Sequence, residues 1–275
     1  FQGSQALFAD PNVVVLESRS SGYRVVGMRV DQDPFTDKRV RQAIALCLDR
    51  PALVEGLFDG KAEIGNDHAF APVYPASELA LTEVSQRQQD HEMAKQLLAD
   101  AGFSNGLDIE LTTEQFLEEP QYAVTLKEAC KPAGINVELK ILDQPTFYGS
   151  GENQPWLQAP FTMTAWAERG SASQTIQPAY LCVSVPKPDL SNAGAWNAPH
   201  WCNEEFDSLV AQFDAELDEQ KRLELAAQAA TVQNEEVSTI IAYWVGGLRA
   251  TRSNVQGLPA GPATITLDPS GMWLS

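Results

Sequence analysis

The sequence predicts an α/β fold in which a mixed sheet is flanked by helices. Residues 107–111 and 135–141 alternate apolar with polar side chains, which is the period of a half-buried strand. Residues 122–131, between them, carry apolar side chains at helical spacing, so the three segments predict a βαβ unit. Residues 204–216 and 219–234 predict two amphipathic helices that cover the sheet.

Short β-branched runs predict further strands, and apolar stripes at helical spacing predict further helices. The strands are expected at 13–16, 23–30, 161–166 and 239–245, and the helices at 40–50, 51–58 and 93–101. The expected N-caps are Asp49, Asn203 and Asp218. Residues 60–77, 147–160 and 167–202 are expected to be loops. A loop as long as the last is usually functional in a compact domain.

Length and composition describe a folded protein with an acidic surface. The chain has 275 residues, 44% of them hydrophobic, which is enough for one large domain or two smaller ones. Its formal net charge of −18 repels polyphosphate and anionic headgroups, so we expect no nucleic-acid partner and no membrane-surface role. Nowhere does the sequence approach the roughly 20 successive apolar residues of a membrane span. Residues 1–4 resemble an expression-tag remnant, so the lack of an export signal is uninformative.

The inventory of reactive residues favours no catalytic chemistry. The chain has only three histidines, and it contains no HExxH, CxxC or GxSxG pattern. Cys182, His200 and Cys202 lie close in sequence, and we favour a disulfide between the two cysteines over a metal site. Closing a loop of about 20 residues would stabilise the fold by roughly 3 kcal/mol and would imply an oxidising compartment. Cys47 and Cys130 are expected to be buried free thiols. We expect no cofactor.

Five segments, taken in order, resemble the C-terminal half of the family 5 extracellular solute-binding proteins, the dipeptide and oligopeptide receptors of ABC importers. They are PFTDKRVRQAIALCLDRPALVEGLFDGKA (34–62), EMAKQLLADAGFSNGLDIELT (92–112), LKEACKPAGINVELKILD (126–143), WNAPHWCNEEFDSLVAQFDAELDEQKRLELAAQAATVQNEE (196–236) and RATRSNVQGL (249–258). Each segment alone is weakly specific, whereas their order and spacing are specific. The series covers most of residues 11–258.

The resemblance implies a periplasmic-binding-protein-like fold of type II, large cluster, with this chain as one lobe of a two-lobed receptor. It implies that the preceding lobe is absent and that the chain is a truncated piece. The expected organisation is a tag remnant (1–4), hinge-proximal strands from the first lobe (5–33), the ligand-binding second lobe (34–245) and a return segment toward the first lobe (246–275). The family often carries a disulfide in the loop that contains Cys182 and Cys202.

The resemblance also implies a ligand-binding set. In the family, a strand that ends in a Trp delivers pocket residues, and here the strand 161–166 ends in Ala165-Trp166. Peptide binders place an acidic residue soon after this Trp, with an Asp-Pro downstream, whereas here Arg169 stands there and no Asp-Pro follows. The pattern is similar to a branch that binds opine- and sugar-phosphate-like compounds. The expected ligand-binding residues are Trp166, Glu168, Arg169, Trp196, Asn197 and Trp201.

Each of these residues also has a structural interpretation. Trp166 can belong to the core, and Arg169 can be a rim charge paired with Glu168. Trp201 can pack over the disulfide. Glu118 and Glu119 follow a strand where another pocket loop would lie, but we expect a solvated acidic loop there.

We therefore expect the substrate-binding component of an ABC importer, which captures a short peptide or an opine- or sugar-phosphate-like molecule between two lobes. It is not expected to be an enzyme. Its expected partners are the ligand, an ABC permease in the membrane and its own N-terminal lobe, and it is otherwise expected to be a monomer. The expected location is periplasmic or extracellular, with or without a lipid anchor. The alternatives are a metal-dependent hydrolase that uses Cys182, His200 and Cys202, and a ligand sensor that is not coupled to transport.

Overall fold

A computed structural model describes residues 5–151, 153–187, 195–258 and 269–275. The helices are α1 (Gln5–Ala9), α2 (Lys38–Leu46), α3 (Arg50–Phe58), α4 (Glu78–Glu83), α5 (His91–Asp100), α6 (Glu119–Cys130), α7 (Gln144–Tyr148), α8 (Pro155–Gln158), α9 (Ala172–Ala179), α10 (Glu204–Ala215) and α11 (Glu219–Glu236). The strands are β1 (Val13–Ser18), β2 (Tyr23–Met28), β3 (Glu63–Ile64), β4 (Leu107–Glu114), β5 (Ile135–Leu142), β6 (Phe161–Trp166), β7 (Thr239–Ile240), β8 (Tyr243–Trp244), β9 (Gly247–Arg252), β10 (Val255–Gln256) and β11 (Trp273–Leu274). The helices of the described ranges are too short or too polar to cross a membrane.

The main sheet is mixed, as predicted. Its strand order is β3-β8-β2-β6-β4-β5, and β7 also pairs with β2. Strands β4 and β5 are parallel and joined by α6, which confirms the predicted βαβ unit. Strand β2 is antiparallel to β6, and β6 is parallel to β4. The α/β fold class is therefore confirmed.

Two apolar cores lie on opposite faces of this sheet, because successive side chains of β2 point to opposite sides. Val26 and Met28 belong to a core that α2, α3, α5 and α6 cover. Tyr23 and Val25 belong to a second core that α9, α10 and α11 cover. Every residue of β2 is buried. The result is a three-layer arrangement whose central strand meets solvent on neither face.

A separate two-stranded ribbon lies beside the main sheet. Strand β1 pairs with β9 in an antiparallel register that runs from Val13 opposite Arg252 to Ser18 opposite Gly247. Strand β2, which the predicted organisation places in the hinge segment 5–33, is a central strand of the main sheet. The predicted domain boundaries remain predictions, and the predicted tag remnant (1–4) lies outside the described residues.

Helix caps account for the helix starts. Asp49 accepts a hydrogen bond from the Ala52 amide at the start of α3, and Asp218 accepts one from the Lys221 amide at the start of α11. Asn203 caps α10 in the same way. All three caps were predicted, since a short polar side chain immediately before an apolar stripe satisfies amides that the helix leaves free.

The predicted loop 167–202 contains a helix, so that prediction is wrong in part. Helix α9 begins after Ser171, whose hydroxyl accepts from the Gln174 amide. The helix buries Ala172, Thr175, Ile176 and Ala179 at spacings of three and four residues. The stripe is hard to recognise in the sequence, because Pro178 and several polar residues lie between its members. Similarly, the expected loop 147–160 contains α8, and the expected final strand at 239–245 is divided into β7 and β8.

Asp67, in the loop that follows β3, is the centre of a buried charge cluster. Arg50 Nη2 is 2.7 Å from Asp67 Oδ2, and Arg87 Nε is 2.8 Å from the same oxygen. The Ile241 amide donates to the other oxygen at 3.1 Å. The side chains of Arg50 and Asp67 are both 0% exposed. The cluster therefore joins α3, this loop and the strand segment β7–β8, and the Arg50–Asp67 pair within it is fully buried.

Candidate functional site

One edge of the main sheet brings together most of the residues that the sequence singled out. Strands β4, β5 and β6 run in the same direction, so their carboxyl ends meet at this edge, and the antiparallel β2 begins there. Ligands of open α/β sheets bind in the crevice outside the carboxyl ends of the strands. We refer to this region as the carboxyl edge.

An aromatic cluster occupies one side of the carboxyl edge. Trp166, the last residue of β6, is 7% exposed and stacks on Tyr23 with ring centroids 6.0 Å apart. Trp196 meets Trp166 edge-on, also at 6.0 Å, and 37% of Trp196 is exposed. Trp166 is therefore largely buried while Trp196 presents an aromatic surface to solvent, which suits an apolar part of a ligand.

Arg169 lies against this aromatic cluster. Its guanidinium carbon is 5.9 Å from the centre of the Trp166 ring, within cation–π range. The Arg169 amide donates to the Ser21 hydroxyl at 2.8 Å, and that hydroxyl donates to the Arg169 carbonyl at 2.9 Å. The Tyr74 hydroxyl donates to the same carbonyl at 2.9 Å. The backbone of Arg169 is thus held from two sides.

The side chain of Arg169 lacks an acidic partner within the described ranges. Its Nη1 donates to the Glu168 carbonyl at 3.0 Å, which is a contact with the backbone and not with a carboxylate. No described carboxylate oxygen lies within 4.0 Å of the guanidinium. The alternative interpretation of Arg169 as a rim charge paired with Glu168 therefore finds no such ion pair in the structure.

The other side of the carboxyl edge is acidic and buried, and the predicted solvated acidic loop is wrong. Arg24 of β2 is 5% exposed and pairs with Glu118 at 2.9 Å and with Glu119 at 3.4 Å. Glu119 is 0% exposed and accepts from the Thr113 hydroxyl at 3.0 Å. Arg24 draws these carboxylates out of solvent, because a buried guanidinium needs counter-charges.

Glu114 adds a third carboxylate to this side. It is the last residue of β4, it is fully buried, and it accepts from the Tyr148 hydroxyl and from the Gln144 amide, both at 2.6 Å. Burial and the neighbouring Glu114 charge raise the pKa of Tyr148, so this phenol stays protonated and donates. Three glutamates thus lie at the acidic side, and two of them, Glu118 and Glu119, contact Arg24.

Burial raises the pKa of Glu119 to about 8, although the Arg24 guanidinium opposes this shift and Glu114 adds to it. A raised pKa means that the folded chain holds this proton more tightly than the unfolded chain, whose value is near 4.5. The stabilising contribution of the proton is complete below the unfolded value. It is lost as the pH rises through the folded value.

We expect Glu119→Gln to stabilise the chain relative to the parent at alkaline pH, because glutamine mimics the protonated carboxyl. The difference in free energy of unfolding should shift in favour of the variant as the pH rises from 4.5 to about 8. Urea denaturation at a series of pH values measures it. Glu110→Gln, on the exposed face of β4, is the control and should show no such trend. A difference independent of pH would contradict the assignment.

The structure separates the six predicted site residues into two groups. Trp166, Glu168, Arg169 and Trp196 lie at or beside the carboxyl edge. Asn197 is fully buried, and its side-chain amide donates to the Leu181 and Trp201 carbonyls while its oxygen accepts from the Trp201 amide. In this structure Asn197 therefore shapes its own loop.

Trp201 is 3% exposed and packs against Phe206 with ring centroids 4.9 Å apart. The neighbouring Cys182 and Cys202 form a disulfide, as predicted. His200 Nδ1 lies 3.3 Å from Asp31 Oδ2. Because both thiols are consumed by the bridge, the proposed Cys-His-Cys metal site is wrong. The described residues hold no group of three or more His, Cys, Asp or Glu side chains that suits a metal ion.

The sequence reasoning missed Arg24, Glu114 and Tyr148. A signal for Arg24 was present, because it is a charged residue inside the apolar run YRVVGM of a strand expected to be buried. Such a residue needs a buried counter-charge. The partners lie more than ninety positions further along the chain, and periodicity cannot identify contacts of that range.

The comparisons with known proteins agree with the fold and with the resemblance. The glutathione-binding protein GsiB of Escherichia coli (strain K12) is 26% identical over 216 residues, which are 77% of this chain and 40% of that protein. The heme-binding protein A of Haemophilus influenzae is 24% identical over 242 residues, which are 86% of this chain and 42% of that protein. The chain thus spans about two fifths of these curated relatives.

Solved structures match over nearly the whole chain. The periplasmic binding protein DppA from Helicobacter pylori, in complex with the peptide STSA, has a TM-score of 0.82 at 16% identity, covering 99% of this chain and 51% of that one. MoaA from A. tumefaciens R10, in complex with mannopinic acid, has a TM-score of 0.78 at 19% identity, covering 98% and 53%. At these identities the likeness bears on the fold alone.

A family model settles the membership. The model of the bacterial extracellular solute-binding proteins, family 5 Middle, matches residues 2–183, which are more than half of the chain. The chain belongs to the bacterial extracellular solute-binding proteins of family 5.

Proposed function

We propose that this chain is the ligand-binding lobe of an ABC importer's solute receptor and that it binds a small polar molecule with a carboxylate or phosphate at the carboxyl edge. One observation carries the proposal. Arg169 is a half-buried cation that lies beside Trp166, and no described carboxylate neutralises it. A guanidinium in this setting is suited to bidentate hydrogen bonds with an anionic ligand group.

Arg24 is less suited than Arg169 to bind the anionic group of a ligand. It lies at the same edge, but the Glu118 carboxylate already pairs with it at 2.9 Å. An anionic ligand group therefore gains more from Arg169 than from Arg24, whose partner Glu118 would repel it. The exposed ring of Trp196 supplies an aromatic surface for the uncharged part of the ligand.

The ligand classes that fit are a short peptide and an opine- or sugar-phosphate-like molecule. Relatives named for glutathione, a peptide and mannopinic acid support this range. Arg169 stands where peptide binders of the family carry an acidic residue for the ligand amino group. We therefore propose the opine- or sugar-phosphate-like class ahead of peptides.

We further propose that a second lobe completes the binding site and closes over the ligand, and that an ABC permease receives it outside the cytoplasm. The ribbon of β1 and β9 supports this geometry, since Ser18 and Gly247 lie at the same end of the lobe as Glu118 and Arg24, around a cavity of about 140 Å³. Hinge closure between two lobes is an established mode of ligand capture. Capture of this kind makes and breaks no covalent bond.

Replacing Arg169 with glutamine tests the proposal. Calorimetric titration of this chain, and of a two-lobed protein that contains it, would use a panel of peptides, opines and sugar phosphates. We expect Arg169→Gln to weaken binding of the anionic ligand by about tenfold or more, since charge-assisted hydrogen bonds contribute roughly 1.5–3 kcal/mol. Lys131→Gln removes an exposed positive charge that pairs with Glu128, away from the carboxyl edge, and should leave affinity unchanged.

Two results would contradict the proposal. The first is a two-lobed protein that binds no member of the panel. The second is binding of an anionic ligand with equal affinity by the Arg169→Gln and Lys131→Gln variants. If the two-lobed protein binds the ligand well and this chain alone binds it far more weakly, the result supports a binding site that both lobes form.

A further inference from the structure

A second cavity lies behind the loop that carries Arg169. Its volume is about 440 Å³, within the roughly 300–1,000 Å³ of small-molecule sites. It is enclosed by the segment at Tyr74, by the loop before α9 and by the turn between α10 and α11. The lining includes Tyr74, Gly170, Phe213, Leu217, Arg222 and Leu223.

Most of this lining is apolar. Phe213 is 1% exposed and forms the floor, whereas Leu217 is 97% exposed and stands at the rim, in the turn between α10 and α11. A leucine this exposed contributes nothing to the core of the chain. Enclosure of its side chain by a bound apolar group would be favourable, because it removes apolar surface from water.

Arg222 is the cation of this cavity, and its side chain is incompletely satisfied. Its guanidinium carbon lies 4.7 Å from the centre of the Phe213 ring. Its Nε is buried and has no hydrogen-bond partner. No carboxylate oxygen in the described part of the chain lies within 4.0 Å of its guanidinium nitrogens. Arg222 therefore has no described counter-charge, and a carboxylate bound in the cavity would supply one.

We propose that this cavity is a second binding site, for a small molecule that combines an apolar body with one carboxylate. The carboxylate accepts hydrogen bonds from Arg222, and the apolar body covers Phe213 and Leu223 and encloses Leu217. The site is distinct from the carboxyl edge, because its lining contains none of Trp166, Arg169 and Trp196. It does not depend on the proposed transport function.

Removing the charge of Glu219 should have the opposite effect on ligand binding to removing the charge of Arg222, which gives a second test. Among the described lining residues Glu219 is the acidic one, and it is exposed in the first turn of α11. It makes no ion pair with Arg222. Its carboxylate repels an anionic ligand, so removing its charge should strengthen binding while removing the charge of Arg222 weakens it.

Phenylpropionate is a suitable probe, and phenylpropanol is its uncharged counterpart. Titration of each into the 275-residue chain would be followed by two-dimensional amide NMR. We expect saturable shifts around Gly170 and Leu223 with phenylpropionate, and about tenfold weaker binding of phenylpropanol. Arg222→Gln should weaken phenylpropionate binding by about tenfold, and Glu219→Gln should strengthen it by about twofold.

Lys221→Gln is the matched control, since it removes one positive charge from the neighbouring position of α11, outside the cavity lining. It should change the affinity by less than about twofold. The proposal is overturned if phenylpropionate gives no saturable shift at millimolar concentration, or if Arg222→Gln and Lys221→Gln bind it equally. It is also overturned if phenylpropanol binds as tightly as phenylpropionate.

Discussion

Asparagine in place of Asp67 should destabilise the folded chain by about 3–5 kcal/mol, because Arg50 would be left buried without a counter-charge. Arg50 is fully enclosed, and Asp67 is the carboxylate that it contacts, at 2.7 Å. Arg87 loses the same partner, but it is 13% exposed and can turn toward water. Asparagine keeps the size of the side chain and tolerates the left-handed backbone at Asp67, where φ is 57°. The loss of stability is therefore expected to result from the missing charge and not from a change in the backbone.

The measurement is urea denaturation of the parent and the variant at neutral pH. Glu128→Gln is the matched control, since it also removes one member of an ion pair, the exposed pair with Lys131 at 2.7 Å. That control should cost less than about 1 kcal/mol. If the two variants lose the same free energy of unfolding, then burial of the Asp67 cluster does not increase the stabilisation that its charges provide.

Removing the disulfide should cost roughly 3 kcal/mol. Cys182 and Cys202 close a loop with a sequence separation of 20, and opening it gives the unfolded chain more conformational freedom. The double variant with Cys182→Ser and Cys202→Ser should therefore unfold at lower urea concentration than the parent. Cys202 closely follows Trp196 in the chain, and the Trp196 ring meets Trp166, so ligand affinity at the proposed site on the carboxyl edge should fall together with stability.

A reducing agent supplies the control for the bridge. Reduction of the parent should reproduce the loss of the double serine variant, because both open the same loop. The same agent should leave the serine variant unchanged, since its remaining thiols, Cys47 and Cys130, are already free and buried. An unchanged unfolding midpoint in the reduced parent would refute the stabilising role of the bridge.

Local periodicity was sufficient for the elements that alternate or repeat clearly. Strand β5 runs from Ile135 to Leu142, and the predicted alternation of buried and exposed side chains holds up to Lys140, whereas Ile141 is exposed. The caps Asn203 and Asp218 were recognisable because each precedes an apolar stripe. Helix α9 was missed because proline, serine and glutamine outweigh its buried stripe in any local window.

The acidic side of the carboxyl edge could not be predicted, since it depends on contacts between distant segments. Arg24 meets Glu118 only because β2 and the loop after β4 reach the same edge of the sheet. Glutamates beside a proline look solvated when the arginine opposite them is unknown. The aromatic side was easier, because Trp166, Arg169 and Trp196 were selected through the family pattern and not through burial.

The hydroxyl of Ser21 links two parts of the chain through hydrogen bonds. Ser21 lies in the short link between β1, in the ribbon, and β2, in the main sheet, and it holds both the amide and the carbonyl of Arg169. A rotation of the ribbon about this link would pull on the backbone of Arg169. The residue that we propose to bind the anionic group would therefore move together with the ribbon.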